Sequence, residues 1–392
     1  MKQNGRRYAF IDTHLEERRR RNRLRALQPL EHLPDAEVRI NGNKLINFCS
    51  NDYLGLSQHP LLKARAVEFT ERYGVGSTAS RLICGTVECF QRIEQKLAAL
   101  KGSEAALILN SGYQANVSIL PALADRQTLI LSDVLNHNSI IQGALLSRCY
   151  VERFRHNDVQ HVRELLHKHY SSGYSRTIII TESIFSVDGD KSDIATLSEL
   201  AEEYEALLVV DEAHATGVVG ERGMGLTCGK KVDLTIGTFG KACGSFGAYV
   251  TCSERLCEYL INRCSGFIYT TALPPAVLGA IDAALDLIPQ MDGEREQLHA
   301  NSEFVRSSLH ELGYNTGDST SQIIPIIMGE ETEALKMSNH LEEKGILALA
   351  IRPPTVPLGQ SRIRLSLSAL HTKQHIERLL DVFAAHGSAH AG

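Results

Sequence analysis

Short apolar runs recur along the middle of the chain, at 105–109, 128–131, 149–151, 177–180, 207–210 and 234–236. Most are continuous rather than alternating, the pattern of strands covered on both faces. Segments of helical period lie between them, such as 87–101 with Ile93, Leu97 and Leu100 on one face. The alternation predicts an α/β fold with a mostly parallel central sheet. Four of the runs end in polar clusters, Asp133 to His137, Glu182 to Ser186, Asp211 to His214 and Thr238 to Lys241. Ligands of open α/β sheets sit beyond the carboxyl ends of strands, so the shared position predicts one cleft.

The flanks read differently. Leu15, Leu24 and Leu27, with Glu16, Glu17 and many arginines, predict an amphipathic helix within residues 1–30. Asn41-Gly42 predicts a hairpin turn between 38–40 and 45–48. The polar loop 49–56 and the small-residue stretch 73–81 suit the lining of a site or a subunit boundary. After about 290 the texture changes. Ala334, Leu335, Ser338 and Leu341 form a helix face closed by Gly345, and a strand is expected over 346–351. In 362–368 the alternation sets Arg362 and Arg364 on one face and Ile363, Leu365 and Leu367 on the other, and an amphipathic helix follows from Thr372. The expected organisation is an N-terminal helix and hairpin arm over 1–45, a large domain over 46–290 and a smaller α+β domain over 291–392.

Composition narrows the function classes. The 392 residues are 43% hydrophobic and 22% charged, enough for a large core and a second smaller one. A net charge of -5 gives no basic field for nucleic acid or an anionic membrane. No apolar run approaches the roughly 18 residues of a membrane span, and the polar N-terminus has no signal-like apolar stretch. The nine cysteines form no CxxC or metal-ligand framework, which points to free thiols, a reducing cytoplasmic setting and no metal.

The chemistry centres on Thr238-Phe239-Gly240-Lys241. A lysine amine is a poor nucleophile while protonated, and a desolvating pocket frees its lone pair for imine formation. Thirty residues earlier, Asp211 ends an apolar run and His214 follows. A carboxylate at that place can keep a pyridine nitrogen protonated, as the sites of pyridoxal phosphate require. The strand at 105–109 feeds Asn110-Ser111-Gly112-Tyr113 and a helix, a ready phosphate site. Asp211-Glu212-Ala213-His214 also matches a helicase motif, but such a motor needs GxxxxGK[ST], which neither Gly229-Lys230 nor Gly240-Lys241 supplies.

From about residue 15 to 385 the chain resembles the α-oxoamine synthase family of fold-type I pyridoxal-phosphate enzymes. The resemblance rests on SNDYLGLS at 50–57, DEAH with TGV at 211–218, TFGK at 238–241 and IRPPTVP at 351–357. It implies the aminotransferase-like transferase fold, a homodimer, and a decarboxylative acyl transfer from a thioester to an amino acid. By motif, Lys241 would carry pyridoxal 5'-phosphate as an imine. Asp211 would pair with the ring nitrogen, His214 with the phenolic oxygen, and His137 would stack on the ring. Asn136 stands before that histidine where the family usually has serine. Gly112 and Tyr113, with Ser186 and Thr238, would hold the phosphate, and Glu182 would be a supporting acid. Thr270 and Thr271 would reach the partner subunit's phosphate site. Asn51 and Arg364 would hold the amino-acid carboxylate, Arg25 a distal carboxylate, and Arg352 and Thr355 would line the acyl site. IRPPTVP points to L-alanine and a pimeloyl thioester, on CoA or on an acyl carrier protein. Arg81 to Thr86 matches a glycine-using branch equally well, so both substrate pairs stand open here.

Overall fold

Strands Thr128–Asp133, Arg176–Glu182 and Leu207–Asp211 divide their side chains between two cores. In Arg176–Glu182, Ile178 and Ile180 join Leu107, Ile130, Val209 and Ile236 on one face. Ile179 joins Leu129, Leu131, Leu208 and Val210 on the other. Side chains alternate across a strand, so a run apolar at every position needs cover on both sides. Helices Gly112–Leu123 and Glu254–Arg263 supply Ile119, Leu120 and Leu260 to the first core. Val159–His169 and Ile194–Glu203 supply Leu165, Leu197 and Leu200 to the second. Each such side chain contributes about 1.5–3 kcal/mol by leaving water.

The computed structural model describes residues 5–390, with side chains from Arg7 to His386. Contacts group the chain into two units, one of 51–300 with 320–322, the other of the residues up to 50, 301–319 and 323 onward. The described part of the expected arm, residues 5–45, falls within the second unit.

The first unit holds seven strands in the order Ala105–Leu109, Ala248–Cys252, Leu234–Thr238, Leu207–Asp211, Arg176–Glu182, Thr128–Asp133, Tyr150–Phe154. Ala248–Cys252 runs antiparallel to both neighbours, and the other adjacent pairs are parallel. That strand carries Tyr249 and Thr251 at alternate places, so no continuous aliphatic run marks it, and the apolar-run pattern did not reveal it.

The second unit contains two smaller sheets. One has Glu31–His32, Glu37–Ile40, Asn43–Asn47 and Ile346–Leu347; the Asn41-Gly42 hairpin turn falls where expected. The other has Ile323–Gly329, Ser361–Ser366 and Leu349–Ile351, all antiparallel. The single strand expected over 346–351 is therefore two. Ile346 and Leu347 pair with Ile46 and Asn47, whereas Leu349 to Ile351 pair with Arg364 to Arg362. The N-terminal helix also differs from expectation. It spans Gly5–Arg20 and stops before Leu24 and Leu27, which are exposed. Asn22 takes a positive φ of 53° just past its end, a conformation that cannot continue a right-handed helix. Among the described residues, no helix is long and apolar enough to cross a membrane.

Candidate active site

Lys241 is held in a loop between strands Leu234–Thr238 and Ala248–Cys252, and the surrounding sequence explains the placement. Phe239, Ala242 and Cys243 are buried, and Phe239 packs on Tyr249 with ring centroids 5.1 Å apart. Phe239 N–H donates to the Gly247 carbonyl, and Ser245 N–H to the Phe239 carbonyl, each at 2.9 Å. Gly237 is required because a Cβ there would lie 2.2 Å from the Tyr249 ring. The loop is pinned at both ends by apolar burial and backbone bonds, leaving Lys241 half-buried between them.

Lys241 Nζ lies 2.7 Å from His214 Nε2. The other imidazole nitrogen, Nδ1, is 2.6 Å from the Tyr53 hydroxyl, which donates in turn to Asn51 Oδ1 at 3.0 Å. His214 and Tyr53 are both buried, so the line Asn51–Tyr53–His214–Lys241 orients the amine through groups with little freedom.

Asp211 ends strand Leu207–Asp211 and is buried. Its Oδ1 accepts the Ala213 N–H at 2.8 Å, and its Oδ2 accepts Asn116 Nδ2–H at 2.7 Å. Both oxygens of this buried carboxylate thus have donor partners. In the sheet register Glu182 stands directly opposite Asp211. Burial first, and then the Asp211 charge, push the Glu182 carboxyl well above the usual carboxylate range. Its Oε1 accepts the His137 N–H at 2.6 Å. His137 caps helix Asn138–Leu146, and burial and the nearby Lys241 amine hold its imidazole below its ordinary value against the opposing pull of Asp211.

One cavity of about 230 Å³ is lined by Gly112, Tyr113, His137, Glu182, Asp211, His214, Thr238 and Lys241, eight of the residues read from sequence. Asn116, Ser139 and Ala213 complete the lining and were not foreseen. Ala213 follows from the motif. Asn116 and Ser139 had only one signal, polar residues near the starts of helices that follow strands. Ser186 is not on the lining; it lies half-buried beyond buried Phe185, in a turn closed by Gly189 N–H on the Phe185 carbonyl. Thr270 and Thr271 are also outside it, tied to Asn110 Nδ2 through Thr270 Oγ1 at 3.1 Å and the Thr271 carbonyl at 2.7 Å. A larger cavity of about 580 Å³ opens among Glu104, Leu207 and Asp233, at the opposite strand ends, and none of the residues read from sequence as site candidates lines it.

The cavity fits a flat pyridine aldehyde phosphate. Helix Gly112–Leu123 begins at it, capped by Ser111 Oγ accepting the Gln114 N–H at 3.2 Å. The Gly112 and Tyr113 N–H groups lie in the first turn, where no intrahelical carbonyl can take them, so they offer an anion site. A carboxylate, an amine with an imidazole beside it and a phosphate cradle thus face one small space.

The other unit holds a second cavity of about 240 Å³, lined by Arg23, Arg25, Ala350, Ile351, Arg352, Pro353 and Thr355. Arg23 is taken up by Glu331, to which its Nε donates at 3.0 Å. Arg25 Nη2 is 3.5 Å from Thr355 Oγ1, and Arg352 Nη1 donates to the Asn22 carbonyl. Burial lowers the Arg352 guanidinium below its ordinary value, and Arg25 and Arg23 add to this against Glu331. Arg364, in the same unit, donates from Nη1 to Ser366 Oγ at 2.6 Å.

Known proteins resemble the chain throughout its length. The model of the family described as aminotransferase class I and II matches residues 43–383. A Desulfosudis oleivorans protein, provisionally named an 8-amino-7-oxononanoate synthase, is 59% identical over 96% of this chain and 98% of its own. A Gluconacetobacter diazotrophicus protein named 8-amino-7-oxononanoate synthase is 48% identical over 97% and 98%. Among solved structures, the Sphingomonas wittichii serine palmitoyltransferase superposes with a TM-score of 0.91 at 28% identity, covering 97% of this chain and 98% of that one. The Francisella tularensis 8-amino-7-oxononanoate synthase gives 0.76 at 28%, covering 89% and 99%.

Proposed function

The chain belongs to the aminotransferase class I and II family, and on that premise we propose that it catalyses the 8-amino-7-oxononanoate synthase reaction with pyridoxal phosphate as cofactor. In that reaction L-alanine condenses with a pimeloyl thioester, and carbon dioxide and the free thiol leave. The observation that carries the reading is the single cavity shared by Asp211, His214 and Lys241. When bound, the cofactor supplies an electron sink through its protonated ring. Asp211 keeps the ring-nitrogen proton in place, its own charge stabilised by Ala213 and Asn116. The Lys241 amine, set by His214, takes the proton from the alanine Cα and returns one there after carbon dioxide has left. The Gly112 and Tyr113 N–H groups, with Thr238, would hold the phosphate, and Glu182, by accepting the His137 backbone N–H, supports the residue whose imidazole would stack on the ring.

The remaining assignments follow the same reading. Asn51 serves the amino-acid carboxylate. In the cavity of the second unit, Arg25 takes the distal carboxylate of the acyl chain, and Arg352 and Thr355 line the acyl site. An anion there would relieve the repulsion among three guanidinium groups of which Glu331 neutralises one. The working form is a cytoplasmic homodimer in which Thr270 and Thr271 serve the partner's phosphate site.

The test is thiol release from alanine, glycine and serine, each with pimeloyl-, acetyl- and palmitoyl-CoA, and with pimeloyl-acyl carrier protein. Alanine with a pimeloyl thioester should give the highest kcat/KM. Best turnover of glycine with acetyl-CoA would overturn the assignment.

A further inference from the structure

The Asn116 side chain spends both of its amide hydrogens on the cavity. One goes to Asp211 Oδ2 at 2.7 Å, the other to Ser139 Oγ at 3.0 Å. Its Oδ1 is buried without a protein partner. The amide cannot be turned over, because Oδ1 would then face the Asp211 carboxylate, an acceptor against an acceptor. Ser139 Oγ lies 2.7 Å from His137 Nδ1. The direction of that bond is decided by its neighbour. The Ser139 backbone N–H also points at His137 Nδ1, at 3.2 Å, and a backbone N–H can only donate. Nδ1 must therefore be the bare, accepting nitrogen. With its oxygen already receiving the Asn116 amide, the Ser139 hydroxyl is left to donate to the same atom. Asn116 and Ser139 are 1% and 0% exposed, so water does not compete for either.

We propose that Asn116 and Ser139 are positioning residues, a relay that ties Asp211 to His137 and fixes His137 as the neutral tautomer with its proton on Nε2. The relay deepens the proposed function and rests on that reading only for its use; the tautomer itself follows from the chain's own donors. Its effect is to deny His137 the alternative of a proton on Nδ1, and so to hold one ring orientation against the cavity. Asp211 and His137 are then set together rather than separately, since one amide serves both.

The test is long-range proton–nitrogen NMR on the full chain with labelled histidine, recorded with pyridoxal phosphate bound and after its removal. His137→Gln assigns the resonance by its loss. In the unsubstituted protein the His137 signal should show a bare Nδ1 and a protonated Nε2 in both states. Ser139→Ala and Asn116→Leu leave the Ser139 backbone N–H on Nδ1, so the Nε2-protonated form should stay the major one. With the hydroxyl's donation lost or loosened, the two nitrogen shifts should still move measurably toward each other, and each variant should lower kcat about five- to tenfold, the worth of one ordinary hydrogen bond. A proton found on Nδ1 in the unsubstituted protein would overturn the relay, even if neither variant folds. So would nitrogen shifts unchanged in both variants. The cofactor-free spectrum separates this result from the functional reading: a chain that never binds pyridoxal phosphate would refute the function and leave the tautomer measured.

Discussion

Lys101 and Glu212 form an ion pair whose side chains are 1% and 0% exposed, and the substitution Lys101→Met tests how the catalytic turn is held. Lys101 Nζ donates to Glu212 Oε2 and to the Met224 carbonyl, both at 2.6 Å. Glu212 also accepts the Thr227 N–H at 2.8 Å and its hydroxyl at 2.9 Å. Burial alone would lower the Lys101 amine, but the Glu212 carboxylate and the Tyr249 hydroxyl raise it above its ordinary value. Methionine fills similar space and strands the Glu212 charge in a site closed to solvent. Breaking a buried pair from one side costs about 3–5 kcal/mol, or about two to four powers of ten in the folded population. Removing both charges is often neutral, so Lys101→Met with Glu212→Gln, which keeps an acceptor for Thr227, should recover most of the loss. Urea unfolding by far-ultraviolet circular dichroism gives the midpoints, and cofactor absorbance reports the turn, because Glu212 directly follows Asp211. A single variant as stable as the parent, or a double variant as weak as the single one, would refute the reasoning.

Lys241→Ala should abolish turnover and the visible absorbance of the bound cofactor, read by a spectrum of the purified protein; a retained band would contradict the assignment of the amine. Arg25→Ala should raise KM for pimeloyl-CoA about 10- to 100-fold with kcat little changed, as expected for one lost charge-assisted bond to a carboxylate; an unchanged KM would remove Arg25 from the site. His371 is buried and stacked on Phe48 at 4.1 Å, and burial pushes its imidazole down to about 4. Between its ordinary value near 6.5 and about 4 the unfolded chain binds a proton that the folded chain does not, so this stability is present above pH 6.5 and lost as pH falls. His371→Gln should flatten that acid limb of the stability curve, measured by urea midpoints from pH 7 to pH 4, and an unchanged slope would refute it.

The pattern of apolar runs by itself marked six of the seven strands of the large sheet, because an aliphatic strand buried on both faces leaves its mark in nearly every residue; Ala248–Cys252, with Tyr249 and Thr251 at alternate places, left none. The pattern also marked Asp211, His214 and Lys241, since residues just past strand ends are gathered by the sheet whatever else the chain does. Other features were settled only by folding. Asn116 meets Asp211 across 95 positions and Tyr53 meets His214 across 161, and no local period records such a bond. The strand expected over 346–351 breaks in two because its halves pair with different sheets, a choice made by the partners and not by the segment. Ser186 fell outside the cavity for a similar reason, as Phe185 took the buried place in its turn. Sequence carries what each residue prefers alone or with near neighbours; the hydrogen bonds that tune the site depend on which distant groups arrive beside it, and only the packed chain decides that.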